Sequence, residues 1–226
     1  MTDSWSGLIQ IASIDILLGG DNAIVIALAC QGLPEKERRA AMAWGVIGAI
    51  GVRLVLLFFA LALLRLPYVK LIAALFLFWI GINLLGGKSH QKEGRRNETF
   101  FSSIRTIILA DTVMSIDNII GVAGAARGDF LLVILGLSVS VPIILWGSRF
   151  VLKTMDRFPS LILMGAGLIG WIAGGMFFSD ESLAKIGSSL SWAGPAGFAL
   201  ATVLIGKWRG GGREMREIAD YGKEER

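Results

Sequence analysis

Two short acidic strings stand inside long apolar stretches of this chain. Both read Asp, five residues, Asp, Asn, and their members are Asp15, Asp21 and Asn22 in the first and Asp111, Asp117 and Asn118 in the second. A charged residue at the centre of a membrane helix costs about 2.5–3.5 kcal/mol on insertion scales. A fold keeps four such carboxylates if they pair with a counter-charge, become protonated or bind a cation.

The ligands that these strings offer are carboxylate and amide oxygens, which suit Mg2+, Ca2+ and Mn2+. A zinc or copper site is not expected, because His90 lies in a polar segment and Cys30 lies at the far end of the first apolar stretch. Met114 shares a helical face with Asp111 and Asn118. Its thioether would favour a softer ion such as Mn2+, although packing between helices is the simpler role for a methionine.

A straight helix would not close one small ion site with such a string. Asp15 and Asn22 share a face but lie about 10.5 Å apart along the axis, and Asp21 points about 120° away. Either the helix is interrupted, at Gly19-Gly20 and less readily at Ser115-Ile116, or there are two ion positions. An interruption would also free backbone carbonyls as ligands.

Two arginines inside apolar stretches are candidate counter-charges. Arg53 and Arg149 occupy matching Gly-x-Arg strings, Gly51-Val52-Arg53 and Gly147-Ser148-Arg149. If each neutralised one aspartate, the remaining carboxylates would have to be protonated. Arg149 lies near the end of its stretch and could instead extend its charge to the lipid interface.

The elements that hold these residues are predicted to be transmembrane helices. Hydrophobic residues make up 54% of the 226 residues, and 18% are charged, against about 25% in soluble domains. This composition excludes a disordered chain, a coiled coil and an ordinary soluble enzyme, and one cysteine excludes a disulfide scaffold. Backbone groups in lipid must be satisfied within a helix, so the fold class is all-α and polytopic. Seven spans are predicted, at 7–30, 41–64, 67–85, 101–126, 130–152, 159–178 and 189–208.

The two acidic strings belong to an internal repeat. They are offset by 96 positions, and the Gly-x-Arg strings share that offset. Three spans per repeat is an odd number, so the two repeats should cross the membrane in opposite directions and form a site near the midplane. We predict a single transmembrane domain, 1–226, with repeat one at about 7–87, a polar linker at about 88–99, repeat two at about 100–178, a last helix at about 189–208 and a basic tail at 209–226.

The loop charges predict the orientation of the chain. Sixteen of the 22 Lys and Arg residues fall on the side of the C-terminus, and four fall on the opposite side. Positively charged loops stay in the cytoplasm, so the N-terminus should be outside and the C-terminus inside. No cleavable signal peptide is predicted, because the first residues lack a basic region.

The strings DILLGGDN from Asp15 and ADTVMSIDN ending at Asn118 resemble the TerC family of integral membrane proteins, in its short YjbE-type bacterial subgroup. The resemblance covers residues 7–208 and implies a place in a larger superfamily of lysine and metal exporters. Members are associated with manganese efflux and with supplying metal to proteins outside the membrane. The resemblance places the acidic motifs on the six residues of the two strings. The extended cytoplasmic segments of longer members are not expected in this chain.

These observations lead to one expected function and two alternatives. The first is a secondary exporter of divalent cations, with Mn2+ favoured, in the bacterial cytoplasmic membrane. Protonation of an aspartate would release the metal, and Mg2+ and Ca2+ remain open. The alternatives are a scaffold that supplies metal to secretion or metalloprotein partners, and an amino-acid exporter. We expect no permanently bound cofactor, no enzyme activity and no nucleic-acid partner, and homo-oligomerisation stays open. No nucleotide-binding or hydrolase string is present in the sequence.

Overall fold

The computed structural model describes residues 9, 11–13, 15–17, 20–59, 68–86, 96–126, 130–180, 183 and 192–224. Within these ranges there are eight α-helices and no strand, which confirms the predicted all-α class. They are α1 (Ile11–Leu17), α2 (Asn22–Cys30), α3 (Glu35–Phe58), α4 (Val69–Gly86), α5 (Arg96–Ala126), α6 (Phe130–Arg157), α7 (Ser160–Phe178) and α8 (Ala193–Glu224).

Four of the described helices are long and apolar enough to cross a membrane. They are α3, α7, the Thr99–Ile116 part of α5 and the Val133–Arg157 part of α6. Helices α1 and α2 add a fifth span if they are taken as one bent helix. Helix α4 is apolar over Val69–Leu85 but shorter. The chain is therefore a multi-pass membrane protein, and the count of seven spans stays a prediction.

The second predicted span, 41–64, begins earlier than predicted, and its residues 60–64 lie outside the described residues. Helix α3 begins at Glu35 and ends at Phe58. Pro34 precedes it with an extended backbone, and Glu35 and Glu37 occupy the first turn. Carboxylates there complement the positive end of the helix dipole, so a polar loop segment joins the helix. The apolar content of the sequence predicts the lipid-facing part of a helix and does not predict a polar first turn such as this one.

Other helices also extend beyond their predicted ends. Helix α5 begins at Arg96, so residues 96–99 are helical although the sequence assigned them to the linker. Helix α6 continues to Arg157, and α8 begins at Ala193 and continues to Glu224 through most of the predicted tail. Hydrogen-bonded turns continue past the apolar stretches, which hydropathy alone does not register.

The outside of the helical bundle is apolar. Phe58 on α3 is 77% exposed, Trp146 on α6 is 73% exposed and Trp208 on α8 is 80% exposed. On α8, Leu200, Leu204 and Trp208 recur every four residues and form one outward stripe. A soluble protein would place such stripes against its core, so these surfaces are suited to lipid.

The helices of the two proposed repeats pair across each other. Helix α3 packs along α5, α2 packs along α6, and α4 packs along α7. In each proposed repeat the first helix (α2 or α5) thus packs against the second helix of the other repeat (α6 or α3). The third helices, α4 and α7, pack against each other. Helix α8 packs on α7 and α4. This pairing is the one that two related three-helix units would produce, while their inverted orientation stays a prediction.

Close helix contacts depend on glycines at two of these interfaces. A Cβ at Gly45 on α3 would lie 2.7 Å from Cδ1 of Ile107 on α5. A Cβ at Gly170 on α7 would lie 2.8 Å from the carbonyl oxygen of Phe198 on α8. Both distances are shorter than a normal van der Waals contact, so the helices approach this closely only because no side chain is present. The first of these interfaces brings Arg53 to α5.

Candidate ion-binding site

The first predicted span is interrupted between α1 and α2. Their axes differ by 57°, and Gly20 and Asp21 form a turn between them. Asp21 caps α2, because its carboxylate accepts a hydrogen bond from the backbone N–H of Asn22 at 2.9 Å. The bend brings Asp15, in the last turn of α1, and Asn22, at the start of α2, to the lining of one cavity. The second string behaves differently, since α5 runs through Ser115 without a break.

Arg53 joins the two repeats at the centre of the bundle. Its Nη1 forms an ion pair with Asp15, and its Nη2 donates to Oδ1 of Asp111 at 2.9 Å. Its Nε donates to the hydroxyl of Ser115 at 2.8 Å. The Arg53 side chain is 9% exposed, and those of Asp15 and Asp111 are 4% and 14% exposed. One guanidinium therefore sits between the first aspartates of both strings.

Two serines complete the hydrogen bonds of the carboxylates. Ser140 on α6 donates to Oδ2 of Asp15, and Ser115 donates to Oδ2 of Asp111 at 3.3 Å. Oδ1 of each aspartate already accepts from Arg53. All four carboxylate oxygens are thus acceptors, as buried charged groups require.

The amide of Asn22 is only half satisfied. Its Nδ2 donates to Oδ1 of Asp111 at 2.9 Å, which links α2 to α5. Its Oδ1 is buried and has no hydrogen-bond partner among the described residues. Asn22 is 4% exposed and lines the same cavity as the aspartates. A buried oxygen without a partner is rare in proteins, so this atom indicates a place for a proton donor or a cation.

The cavity at these residues has a volume of about 30 Å³. That is room for one or two waters, or for an ion that has lost most of its water shell. Its wall combines five polar residues with an apolar remainder from α2, α3, α5 and α6. The polar lining residues are Asp15, Asn22, Arg53, Asp111 and Ser140.

Five other described residues of the predicted set do not line the cavity, and they are Gly20, Asp21, Met114, Ser115 and Arg149. Met114 is 4% exposed and belongs to the main apolar core, in keeping with the packing alternative. Arg149 is exposed on α6, whereas its sequence counterpart Arg53 is buried. The two repeats therefore differ in how they use their arginines.

Part of the predicted set cannot be placed. Gly19 and the side chains of Asp117 and Asn118 lie outside the described residues. Within the residues that the structure does describe, no three His, Cys, Asp or Glu side chains gather as a metal cluster. The two aspartates are joined through Arg53, while the amide of Asn22 and the hydroxyls of two serines each contact one of them.

Ser140 was not predicted to be a site residue. The sequence shows Ser138 and Ser140 on one apolar stretch and predicts hydrogen bonds between helices for both. In the structure Ser138 is exposed and donates to the carbonyl of Ile134 on its own helix. Ser140 is buried, and its hydroxyl lies within hydrogen-bond distance of both Asp15 and the carbonyl of Leu137 on its own helix. No sequence signal separates the two, because the difference depends on which face of α6 meets α1.

A family model and several curated proteins match this chain. The model described as the integral membrane protein TerC family matches residues 1–213. The uncharacterized membrane protein YjbE of Bacillus subtilis (strain 168) is 42% identical over 181 residues, which are 80% of this chain and 83% of YjbE. The uncharacterized membrane protein YceF of the same organism is 26% identical over 75% of this chain and 70% of its own length.

A relative from a second organism covers a similar share of the chain. The UPF0053 inner membrane protein YgdQ of Escherichia coli (strain K12) is 27% identical over 213 residues, which are 78% of this chain and 90% of YgdQ. No solved structure shows a significant match.

Proposed function

Because the chain belongs to the TerC family of integral membrane proteins, we propose that it is a secondary transporter that exports divalent metal cations. Mn2+ is the favoured cation, and protons are the proposed exchange ion. The protein would act in the bacterial cytoplasmic membrane with its N-terminus outside and its C-terminus inside. The description of the relative YgdQ as an inner membrane protein supports this location.

The observation that supports this proposal most directly is the meeting of both acidic strings at one cavity. Asp15 and Asp111 come from the two repeats and are joined through Arg53, and Asn22 contributes an unpartnered buried oxygen beside them. Transporters built from repeats place their ion sites between the repeats and use interrupted helices there. The break between α1 and α2 fits that pattern.

The ligand atoms favour a hard divalent cation but do not choose among such cations. Carboxylate, amide and hydroxyl oxygens bind Mg2+, Ca2+ and Mn2+ alike. Met114 lies in the apolar core rather than at the cavity, so it does not support a softer ion. The preference for Mn2+ therefore rests on the resemblance to manganese exporters of the family.

The size of the cavity weighs against an amino-acid substrate. A volume of about 30 Å³ accommodates an ion with one water and is too small for an amino acid in this conformation. The cavity does not decide between an exporter and a metal-supplying scaffold, since both would need a metal site. An exporter moves metal across a sealed membrane, and a scaffold does not.

The test is Mn2+ flux into proteoliposomes under an imposed pH gradient, with Mg2+ and Ca2+ in parallel. We expect wild-type protein to move Mn2+, and Asp111→Asn to lower the initial rate by at least about tenfold, because it removes a charged ligand. Asp156→Asn is the matched control, since Asp156 pairs with Arg38 at the exposed end of α6. Equal rates in wild type and Asp111→Asn would refute the site. Mn2+ binding without flux in wild type would favour the scaffold.

A further inference from the structure

Arg53 occupies the position between two carboxylates where a cation would be expected. It contacts Asp15 and Asp111 through separate nitrogens and Ser115 through a third. It extends from α3, whereas the carboxylates belong to α1 and α5. The single positive charge, which offsets one of the two carboxylate charges, is thus on a third helix and is not fixed to the backbone of either aspartate.

We propose that Arg53 is a tethered counter-cation that competes with the transported metal ion. In the ion-free protein its guanidinium holds both aspartates, as it does in this structure. When a divalent cation binds, the guanidinium yields the carboxylate oxygens to it. This inference rests on the proposed transport function and specifies how the empty carrier is stabilised.

The energetic reason lies in the burial of the pair. Two carboxylates with no counter-charge inside a membrane protein are strongly unfavourable, and removing one partner of a buried ion pair leaves the other charge uncompensated. An exporter that exchanges its metal for protons must return without the metal, and this metal-free form is the empty carrier. In it Arg53 offsets the charge of one carboxylate and a proton that of the other, which would lower the barrier for the return step.

The unpartnered oxygen of Asn22 supports a site for a cation apart from Arg53. If the guanidinium were the permanent partner of this cluster, we would expect the polar atoms around it to be satisfied. Instead Oδ1 of Asn22 stays buried without a partner, while the Nδ2 of the same amide is held by Asp111. While Arg53 pairs with the carboxylates, Oδ1 of Asn22 is thus a candidate metal ligand without a partner.

Two transport measurements distinguish an Arg53 that competes with the metal from an Arg53 that only stabilises the fold. Net flux of Mn2+ into metal-free vesicles requires the empty carrier to return. Exchange of labelled Mn2+ against unlabelled Mn2+ at equal concentrations does not require the empty carrier to return. We therefore predict that Arg53→Gln lowers net flux by at least about tenfold and leaves exchange within about threefold of wild type. The half-saturating Mn2+ concentration should fall by about tenfold if the self-paired state makes up nine tenths of the empty protein.

A conservative variant and a control complete the experiment. Arg53→Lys keeps the charge but loses the planar fork that holds two carboxylates, so it should retain net flux and show a lower half-saturating concentration than wild type. Arg39→Gln is the matched control, because Arg39 is exposed on the same helix. Each variant is first checked for a monodisperse elution profile in detergent.

Three results would overturn the inference. Equal loss of exchange and net flux in Arg53→Gln would make Arg53 a part of the metal site or of the fold. Unchanged net flux would make its charge dispensable. A raised half-saturating concentration in Arg53→Lys would exclude competition. If wild type moves none of the three cations in either mode, the proposed transport function itself fails, and that outcome is distinct from the first three.

Discussion

Asp15 and Asp111 hold the same place in two matching strings, yet their surroundings differ. Asp15 accepts hydrogen bonds from Arg53 and Ser140, while Asp111 accepts them from Arg53, Ser115 and Asn22. The additional donor on Asp111 comes from the opposite repeat. The amide of Asn22, which lines the cavity, therefore holds a carboxylate through its nitrogen and leaves its buried oxygen without a partner among the described residues.

Replacing Asn22 tests whether this oxygen serves the cation. Asn22→Ala removes the donor to Asp111 and the free oxygen, so we expect the half-saturating Mn2+ concentration for transport to rise about 10–100-fold. The maximal rate should change less, because both carboxylates remain. Asn83→Ala is the control, since Asn83 is half-buried on α4 and accepts from Arg209 at 3.4 Å. Identical saturation curves for Asn22→Ala and wild type would show that this amide has no part in binding.

The residue types of the site were predictable from the sequence, and their partners were not. Aspartates in the middle of apolar stretches are identifiable because their burial is so unfavourable. The choice of Arg53 over Arg149, and of Ser140 over Ser138, depends on the faces that helices present to each other after packing. These contacts join residues 38 to 125 positions apart, and no local pattern encodes them.

At the scale of elements, the approach of α3 to α5 decides whether Arg53 reaches its partners. Gly45 permits this approach, because a Cβ there would lie 2.7–3.0 Å from three atoms of Ile107, including its Cβ. Ile107 is β-branched and 1% exposed, so it has little freedom to move aside. The interface depends on the absence of a side chain at this position.

Gly45→Ala should therefore destabilise the protein. Overpacking of this kind costs about 1–3 kcal/mol, and we expect a lower thermal unfolding midpoint in detergent together with weaker Mn2+ transport. Gly51→Ala is a matched control on the same helix, because a Cβ there meets nothing within 4 Å. It should leave the midpoint unchanged or raise it slightly. Equal midpoints for the two variants would contradict the packing described for α3 and α5.

Apolar runs located the membrane helices but not their ends. The predicted span 159–178 matches α7, which begins at Ser160 and ends at Phe178. Helix α3 instead begins in a polar loop, where Pro34 and two glutamates favour a first turn. The Gly19-Gly20 pair predicted a break; Gly19 lies outside the described residues, and Gly20 lies in the turn that separates α1 from α2. Its weaker counterpart at Ser115-Ile116 did not break, since neither residue there is a glycine.

At the scale of the whole molecule, the two proposed repeats share one polar centre. The first helix of each packs on the second helix of the other, and the aspartates meet between them. A site that belongs to both repeats should fail when either repeat loses its carboxylate. If each string formed a separate ion site, losing one carboxylate would leave the other site intact.

The most direct test of this shared site is Mn2+ binding measured by electron paramagnetic resonance, which follows the signal of the free aqueous ion. Wild-type protein, Asp15→Asn, Asp111→Asn and the control Asp156→Asn would be titrated under identical conditions. We predict one class of sites in wild type and in Asp156→Asn, and its loss in both Asp15→Asn and Asp111→Asn. Retention of wild-type Mn2+ binding by either Asp15→Asn or Asp111→Asn would contradict a cation site built from both repeats.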